Sequence, residues 1–334
     1  MSTIKQFFVI LTLLVIIIFF SCISRISTTK SSDKIVNQIE KRELRSNGLT
    51  NFDISDEVSQ IDVLKEKGTK IRIASYNIRV AAASDEQSGN GWSIRKNPLA
   101  DLIRRNDFDI VGTQEGNFSQ MKDLNELLPE YSYIAYPYAG VNSNSHTACI
   151  LYKTNKYDII DHGVFWLSQT PHEQSIGWDA SDTRICSWAK MKDISSGQKF
   201  YYFVVHFYWR NVTARQNSGP LVVQMIEELA DKNIPIICSG DFNSVDTTSQ
   251  IQAIKKTFKD SYEVTENSPY GPEGTNLGGG NFHGEPKGRI DYVFVNRLVK
   301  VVNYVTLTCT YDNSKHPSDH LPVVCDLLLF SLKI

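Results

Sequence analysis

From residue 71 onward the chain is written in short β-branched and aromatic runs, and run after run closes on a polar or ionisable residue. In an α/β sheet, functional groups collect at strand ends and in the loops beyond them, so this pattern points to a mixed sheet protein with a site at a sheet end. Residues 71–78 alternate like a half-buried strand, and Leu99, Leu102 and Ile103, followed by Arg104 and Arg105, predict a helix after Pro98. Residues 108–112 read as a strand, with further strands at 148–152, 185–191, 200–206, 234–239, 289–295 and 301–307 and one helix over 212–232. No internal repeat and no Pro/Gly linker divides 71–334, which implies one α/β domain.

The opening segment is of another kind. Residues 7–20 form an unbroken apolar run, preceded by Lys5 and followed by Ser21-Cys22. Such a run is short for a helix crossing about 30 Å of hydrocarbon at about 1.5 Å per residue. Residues 1–24 are therefore expected to be a signal peptide, a lipoprotein signal or a membrane anchor. Phe-Phe-Ser-Cys resembles a bacterial lipoprotein processing site, with Cys22 as the lipid-bearing residue. The expected chain is exported, and anchored to a membrane or secreted. Residues 25–70 are polar and lack a sustained apolar period, and so read as a flexible tether, with a short amphipathic helix at 56–66.

Composition narrows the functional classes. With 35 Lys+Arg against 37 Asp+Glu the net charge is −2, which argues against coating a polyanion but leaves room for an enzyme acting on one phosphate. The six cysteines include no CxxC spacing, which argues against a zinc cluster. Cys149, Cys186, Cys238 and Cys325 sit in apolar surroundings and read as small buried hydrophobes.

The polar strand-end residues are Asn77, Gln114-Glu115, His206, Asp241 and Asn243 in Gly-Asp-Phe-Asn-Ser, Asp291 in Arg-Ile-Asp-Tyr, and Ser318-Asp319-His320. Each alone has a bland explanation: an Asp before an Asn after a strand is usually a turn. Together, in this order, they resemble the motifs of the endonuclease/exonuclease/phosphatase superfamily over about residues 71–330. The resemblance implies a four-layer α/β/β/α sandwich of two mixed sheets flanked by helices, with 71–334 as catalytic domain and the site at one end of the sheets.

The chemistry it implies follows from what phosphoester hydrolysis needs: an oxygen-liganded cation, a nucleophilic water and donors around phosphate oxygens. Glu115, with Asn77 and Asp319, would hold Mg²⁺ or Mn²⁺. Asp241 would orient or deprotonate the water, and Asn243 would hold the water or a phosphate oxygen. His320, paired with Asp291, would stay cationic near the phosphate, while His206 would donate from the other side. Arg184 and Arg215 are candidate substrate contacts. Where the family often carries an Asp after the histidine, this chain has Phe207-Tyr208-Trp209, a stacking surface for a base or sugar ring. Residues 271–284 are expected to form a loop above the site, with His283 an ordinary loop histidine. The function implied is metal-dependent hydrolysis of small or lipid-linked phosphoesters, without an obligate protein partner. A nuclease acting on DNA or RNA and a non-catalytic binding protein on the same fold are the alternatives.

Overall fold

The computed structural model describes residues 68–140, 143–312 and 314–332. The apolar run, the tether and the helix expected at 56–66 lie outside the described residues. Two 6-stranded sheets form the middle of the described fold. The first contains β1 (Thr69–Asn77), β2 (Ile110–Gln114), β3 (Tyr131–Pro137), β4 (Thr147–Lys153), β11 (Val299–Thr306) and β12 (Val323–Leu329), in the order β11-β12-β1-β2-β4-β3. The second contains β5 (Tyr157–Trp166), β6 (Ile185–Asp193), β7 (Lys199–His206), β8 (Ile236–Asp241), β9 (Lys259–Asp260) and β10 (Asp291–Val295), in the order β5-β6-β7-β8-β10-β9. Each sheet has one parallel pair near its middle, β1 with β2 and β7 with β8, and antiparallel pairs elsewhere.

The central strands are apolar on both faces because both faces are covered. Ile73, Ile110 and Val323 of one sheet meet Tyr202, Val204, Ile237 and Val293 of the other in the layer between the sheets. The outer face of the first sheet, through Ala74, Val111 and Leu151, packs on α2 (Trp92–Arg105) and α3 (Phe118–Leu127) by way of Leu99, Ile103, Met121 and Leu124. The outer face of the second, through Phe203, Val205 and Phe294, packs on α4 (Val212–Leu229) and α5 (Ser249–Lys255) by way of Val222, Ile226, Ile251 and Ile254. The result is helix, sheet, sheet, helix, the four layers the resemblance implied. Short helices α1 (Ala83–Gln87) and α6 (Ser261–Val264) complete the described elements. Among the described residues no helix is long and apolar enough to cross a membrane. The cysteines expected to be buried are buried and free.

The helix expected after Pro98 begins earlier. It starts at Trp92, and Pro98 lies inside it. Proline removes one N–H from the helical ladder, and Leu99 and Ile103, packed on the sheet, hold the turn that follows. Helix α3 is opened by Asn117, whose side chain accepts from the Gln120 N–H while the Gln120 side chain accepts from the Asn117 N–H. Helices α4 and α5 lie close together at Gly219, where an added Cβ would stand 2.3 Å from the Gln250 carbonyl oxygen. Gly219→Ala is therefore expected to cost about 1–3 kcal/mol by overpacking. An unchanged urea midpoint would show that the two helices can separate freely.

Candidate active site

Strand register explains why residues far apart in sequence meet. Asn77 pairs with Gln114 at the end of β1 and β2, and His206 pairs with Asp241 at the end of β7 and β8. Strand β10 runs antiparallel to β8 and begins with Asp291 opposite Asp241. Strand β12 runs antiparallel to β1, so the residues that lead into it, Ser318-Asp319-His320, arrive at the end where β1 stops. The Ser318 hydroxyl fixes that arrival by donating to the Asn77 carbonyl at 2.6 Å. C-terminal ends of parallel strands and N-terminal ends of their antiparallel neighbours thus share one edge.

The turns leaving these strands are tight. Arg79, Glu115 and Asn243 have φ of 56°, 68° and 45°, left-handed values that L-residues rarely adopt. Such conformations persist where the surrounding bonds over-determine them. Here the Arg79 N–H donates to Asn77 Oδ1 at 3.1 Å and the Asn243 N–H to Asp241 Oδ1 at 2.8 Å.

Carboxylates crowd the pocket floor. Asn77 Nδ2 donates to Glu115 Oε1 at 3.2 Å and to Asp241 Oδ2 at 3.0 Å, so one amide bridges two acids contributed by different sheets. Asp319 Oδ2 accepts from the Gly280 N–H at 2.7 Å, with Arg79 Nη1 at 3.8 Å. Asp241, Asp291 and His320 present ligand atoms all within 4.8 Å of one another. His320 Nδ1 faces Asp291 Oδ2 at 2.8 Å, and its Nε2 lies 3.8 Å from Asp241 Oδ2. Asp291 and Asp241 outweigh the cost of burial and raise the His320 pKa well above its usual value, so the ring is cationic.

The residues fit a hard divalent cation. Burial, reinforced by the Asp291 charge, pushes the Asp241 pKa up to about 7. Burial also raises that of Asp319, with the Glu115 charge adding to it against His320. Burial would raise Glu115 as well, but His146, His320 and Arg79 overcome it and keep the carboxylate ionised. Burial raises Asp241 and Asp319 in spite of His320 and Arg79 nearby, an environment that a further positive charge would favour, and oxygen donors of this type suit Mg²⁺ or Mn²⁺. Glu115, Asp241 and Asp319 offer carboxylate oxygens here, and Asn77 an amide oxygen that also accepts from the Arg79 N–H.

The opposite wall is built on His206. Its Nδ1 faces Arg184 Nη1 at 3.2 Å and the Tyr138 hydroxyl at 2.7 Å. Arg184 on Nδ1 and the Asn243 amide nitrogen on Nε2 are both donors, so the neutral ring is held from both edges. Burial, then the charges of Arg184, His146 and His320, lower the His206 pKa well below its usual value. Two of the pocket's histidines are thus shifted in opposite directions, His320 toward the charged form and His206 toward the neutral one. Nε2 of His206 lies 3.5 Å from Asp241 Oδ2 and 3.1 Å from Asn243 Nδ2.

The pocket encloses about 340 Å³ and is lined by Glu115, Arg184, His206, Asp241, Asn243, Asp319 and His320 among others, with Asn77 and Asp291 bonded to these from behind. Arg215 is not among the lining residues. Its Nη1 donates to the Asn243 carbonyl at 3.2 Å, and Nε and Nη2 to the carbonyls of Asn211 and Arg210, so the guanidinium braces the Asn243 turn. His283 is exposed. Residues 271–284 form no helix or strand and reach the site through the Gly280 N–H. Polar lining residues that were not singled out from sequence are Arg79, His146 and Asn276. His146 has a legible signal. It immediately precedes β4, the antiparallel partner of β2, so it enters the same edge as Glu115.

Sandwich and pocket together define a class: phosphoester hydrolases that work from the end of two packed sheets. The pattern of the Endonuclease/Exonuclease/phosphatase family matches residues 74–320, and the chain belongs to that family. Its members are hydrolases acting on phosphoesters and are generally dependent on divalent metals. The fold is similar to that of a mannosyl-6-phosphatase of Bacteroides thetaiotaomicron, 38% identical, with a TM-score of 0.73 over 78% of this chain and 100% of that one. A family protein of the same organism is 37% identical, with a TM-score of 0.74 over 80% of this chain and 100% of that one. An uncharacterized protein of Acanthamoeba polyphaga mimivirus is 30% identical over 253 residues, 70% of this chain and 91% of its own length.

Proposed function

We propose that the protein is a Mg²⁺-dependent hydrolase of small phosphoesters, and that a hexose 6-phosphate of the mannose type is its first candidate substrate. The observation that carries this is the convergence of four carboxylates, Glu115, Asp241, Asp291 and Asp319, with one cationic and one neutral imidazole on a pocket of about 340 Å³. The similarity to a mannosyl-6-phosphatase supports the sugar phosphate.

The division of labour follows from the bonds. Asp241, its proton affinity raised toward neutrality, orients an attacking water and takes its proton. Asn243 offers amide hydrogens to water or phosphate. His320, held cationic by Asp291, and the His206 ring on the other side stabilise charge as it builds on the phosphoryl oxygens. Arg184 neutralises phosphate beside His206. A cation held by Glu115, Asp319 and Asn77 supplies Lewis-acid polarisation of the phosphoryl group.

The test is phosphate release by the purified protein from mannose 6-phosphate, with single-stranded DNA and RNA as competitors, in Mg²⁺ and in EDTA. Turnover is expected with the sugar phosphate, lost in EDTA and restored by Mg²⁺. Metal-independent turnover, or full activity in Asp241→Ala, sinks the reading, and faster cleavage of an oligonucleotide replaces it with the nuclease. A binding experiment is independent of turnover. Mg²⁺ at about 100 times its Kd is expected to stabilise the fold by about 2.7 kcal/mol, read as a rise in Tm. Asp319→Ala is expected to shrink that rise, and an undiminished rise would remove Asp319 from the cation's surroundings.

The placement of this activity is also proposed: residues 1–24 export the chain and hold it at a membrane through Cys22. The run at 7–20 supports it. Mass spectrometry of the mature N-terminus is expected to find a lipid-bearing Cys22, and an intact, unmodified leader would overturn it.

A further inference from the structure

The acidic pocket opens into a second, larger hollow of about 950 Å³, and His146, Arg184 and Trp209 line both. The size is at the upper end of small-ligand clefts, about 300–1,000 Å³, so it holds more than the alcohol of a minimal phosphoester. Its walls say what kind of group enters.

The aromatic triplet at 207–209 divides in the fold. Phe207 and Tyr208 are buried, whereas Trp209 is 51% exposed at the junction of the two hollows. Arg210 stacks on the indole at 4.2 Å from its centroid, which holds the ring in place and leaves its remaining surface to the cleft. Large exposed aromatics beside a catalytic pocket are suited to stacking on a flat ligand surface. Arg184 is fixed between the rings of Tyr138 and Tyr208, at 5.4 Å and 5.6 Å, and contributes the cation at the boundary. Beyond it the walls carry Gln174, Ile176 and Asp182, with Asp182 taking the Ser181 hydroxyl on one oxygen at 2.9 Å.

Charge then discriminates between leaving groups. A polynucleotide cleaved in the acidic pocket must seat a neighbouring phosphate close by, and in this hollow that phosphate meets the Asp182 carboxylate. Asp182 is exposed, so this repulsion is screened by solvent and salt, but it still sets a phosphate at a disadvantage that an uncharged polyol avoids. The carboxylate and the Gln174 amide are instead acceptors and donors for hydroxyl groups.

The geometry points to the larger hollow as a leaving-group subsite for an uncharged pyranose ring, with Trp209 stacking on its apolar face and Asp182 and Gln174 taking its hydroxyls. This rests on the phosphoester hydrolysis proposed above, and it adds where the sugar sits and why a nucleic acid is disfavoured. The measurement is kcat/KM for a hexose 6-phosphate relative to ethyl phosphate, which has no ring. Trp209→Ala is expected to lower that ratio about five- to tenfold, chiefly through KM, and Trp209→Phe to recover most of it. In Asp182→Lys, competition by a 5′-phosphorylated dinucleotide is expected to strengthen by a similar factor. An unchanged ratio in Trp209→Ala, or unchanged competition in Asp182→Lys, overturns the subsite while leaving the hydrolase standing. If the wild type turns over neither ester, the hydrolase reading falls by itself. Calorimetric titration of hexose 6-phosphate then decides the subsite: weaker binding by Trp209→Ala supports it, and equal binding overturns it.

Discussion

Exchange of Asp291 for asparagine is expected to lower kcat by about 10³–10⁴-fold, a loss of the size seen when the acid behind a catalytic imidazole becomes an amide. The hydrogen bonds around Asp291 give the reason. The Thr275 hydroxyl accepts from the N–H groups of Ile290 and Asp291 at 3.1 Å and 3.2 Å, so its own proton goes to Asp291 Oδ2 at 2.6 Å. The same oxygen receives His320 Nδ1 at 2.8 Å. An amide can keep this geometry by placing its oxygen there, but it brings no negative charge, and the attraction that keeps His320 cationic inside a buried site is lost. A neutral ring no longer offsets charge on the phosphate. KM is expected to change only a few-fold, because the interaction lost is made mainly with the transition state. Since Asp291 acts through His320, the double variant Asp291→Asn/His320→Ala is expected to be no slower than the slower single variant. Multiplying losses, or a loss under tenfold, would show that Asp291 does not work through the imidazole.

That pair was legible in the sequence because each member closes or opens an apolar run, and strand ends are where an α/β sheet exposes its polar groups. The same logic reached Asn77, Glu115, His206, Asp241, Asn243 and Asp319. It failed for groups placed by tertiary contact. Arg79 enters the pocket only because a left-handed turn and an ion pair with Asp85 at 3.0 Å aim it there, and neither can be read from local pattern. Arg215 follows His206 on a helix and so looked like a basic contact, but the Asn243 turn lies within its reach and supplies the carbonyl that holds it. Strands β3 and β5 are edge strands whose partly exposed faces break up the apolar run that marks a central strand. The segment before Pro98 was unread as helix because its apolar face is thin and one of its inward positions is an arginine.

That arginine carries the second large effect. Arg95 is 0% exposed, lies between the rings of Trp92 and Phe282, and makes five bonds to main-chain carbonyls. Nε donates to Asn90 at 2.8 Å, Nη1 to Ile78 and Pro317 at 2.9 Å each, and Nη2 to Arg79 and Val80 at 3.3 Å each. Residues 78–80 continue from Asn77, and Pro317 leads into Ser318-Asp319-His320. One planar fork therefore ties together the two chain segments that deliver the cation-facing residues. Arg95→Met keeps much of the side-chain volume but takes the donor from the Asn90, Ile78 and Pro317 carbonyls, each costing about 1–3 kcal/mol when unpaired, while those of Arg79 and Val80 keep Gln120 Nε2 and the Ala82 N–H. With water replacing part of the loss, the expected destabilisation is about 3–5 kcal/mol, read as a lower urea midpoint with an unchanged m-value. Activity is expected to fall at least tenfold even well below the unfolding transition, because small displacements of reacting groups cost rate steeply. Arg95→Lys is expected to recover less than half of either loss, since one ammonium cannot span carbonyls on both segments in the guanidinium plane. A methionine variant within about 1 kcal/mol of the wild type would mean that the segments hold their positions without the fork. The Asn77 carbonyl bond from Ser318 would then be the tie that matters, and Ser318→Ala, not Arg95→Met, would lower activity.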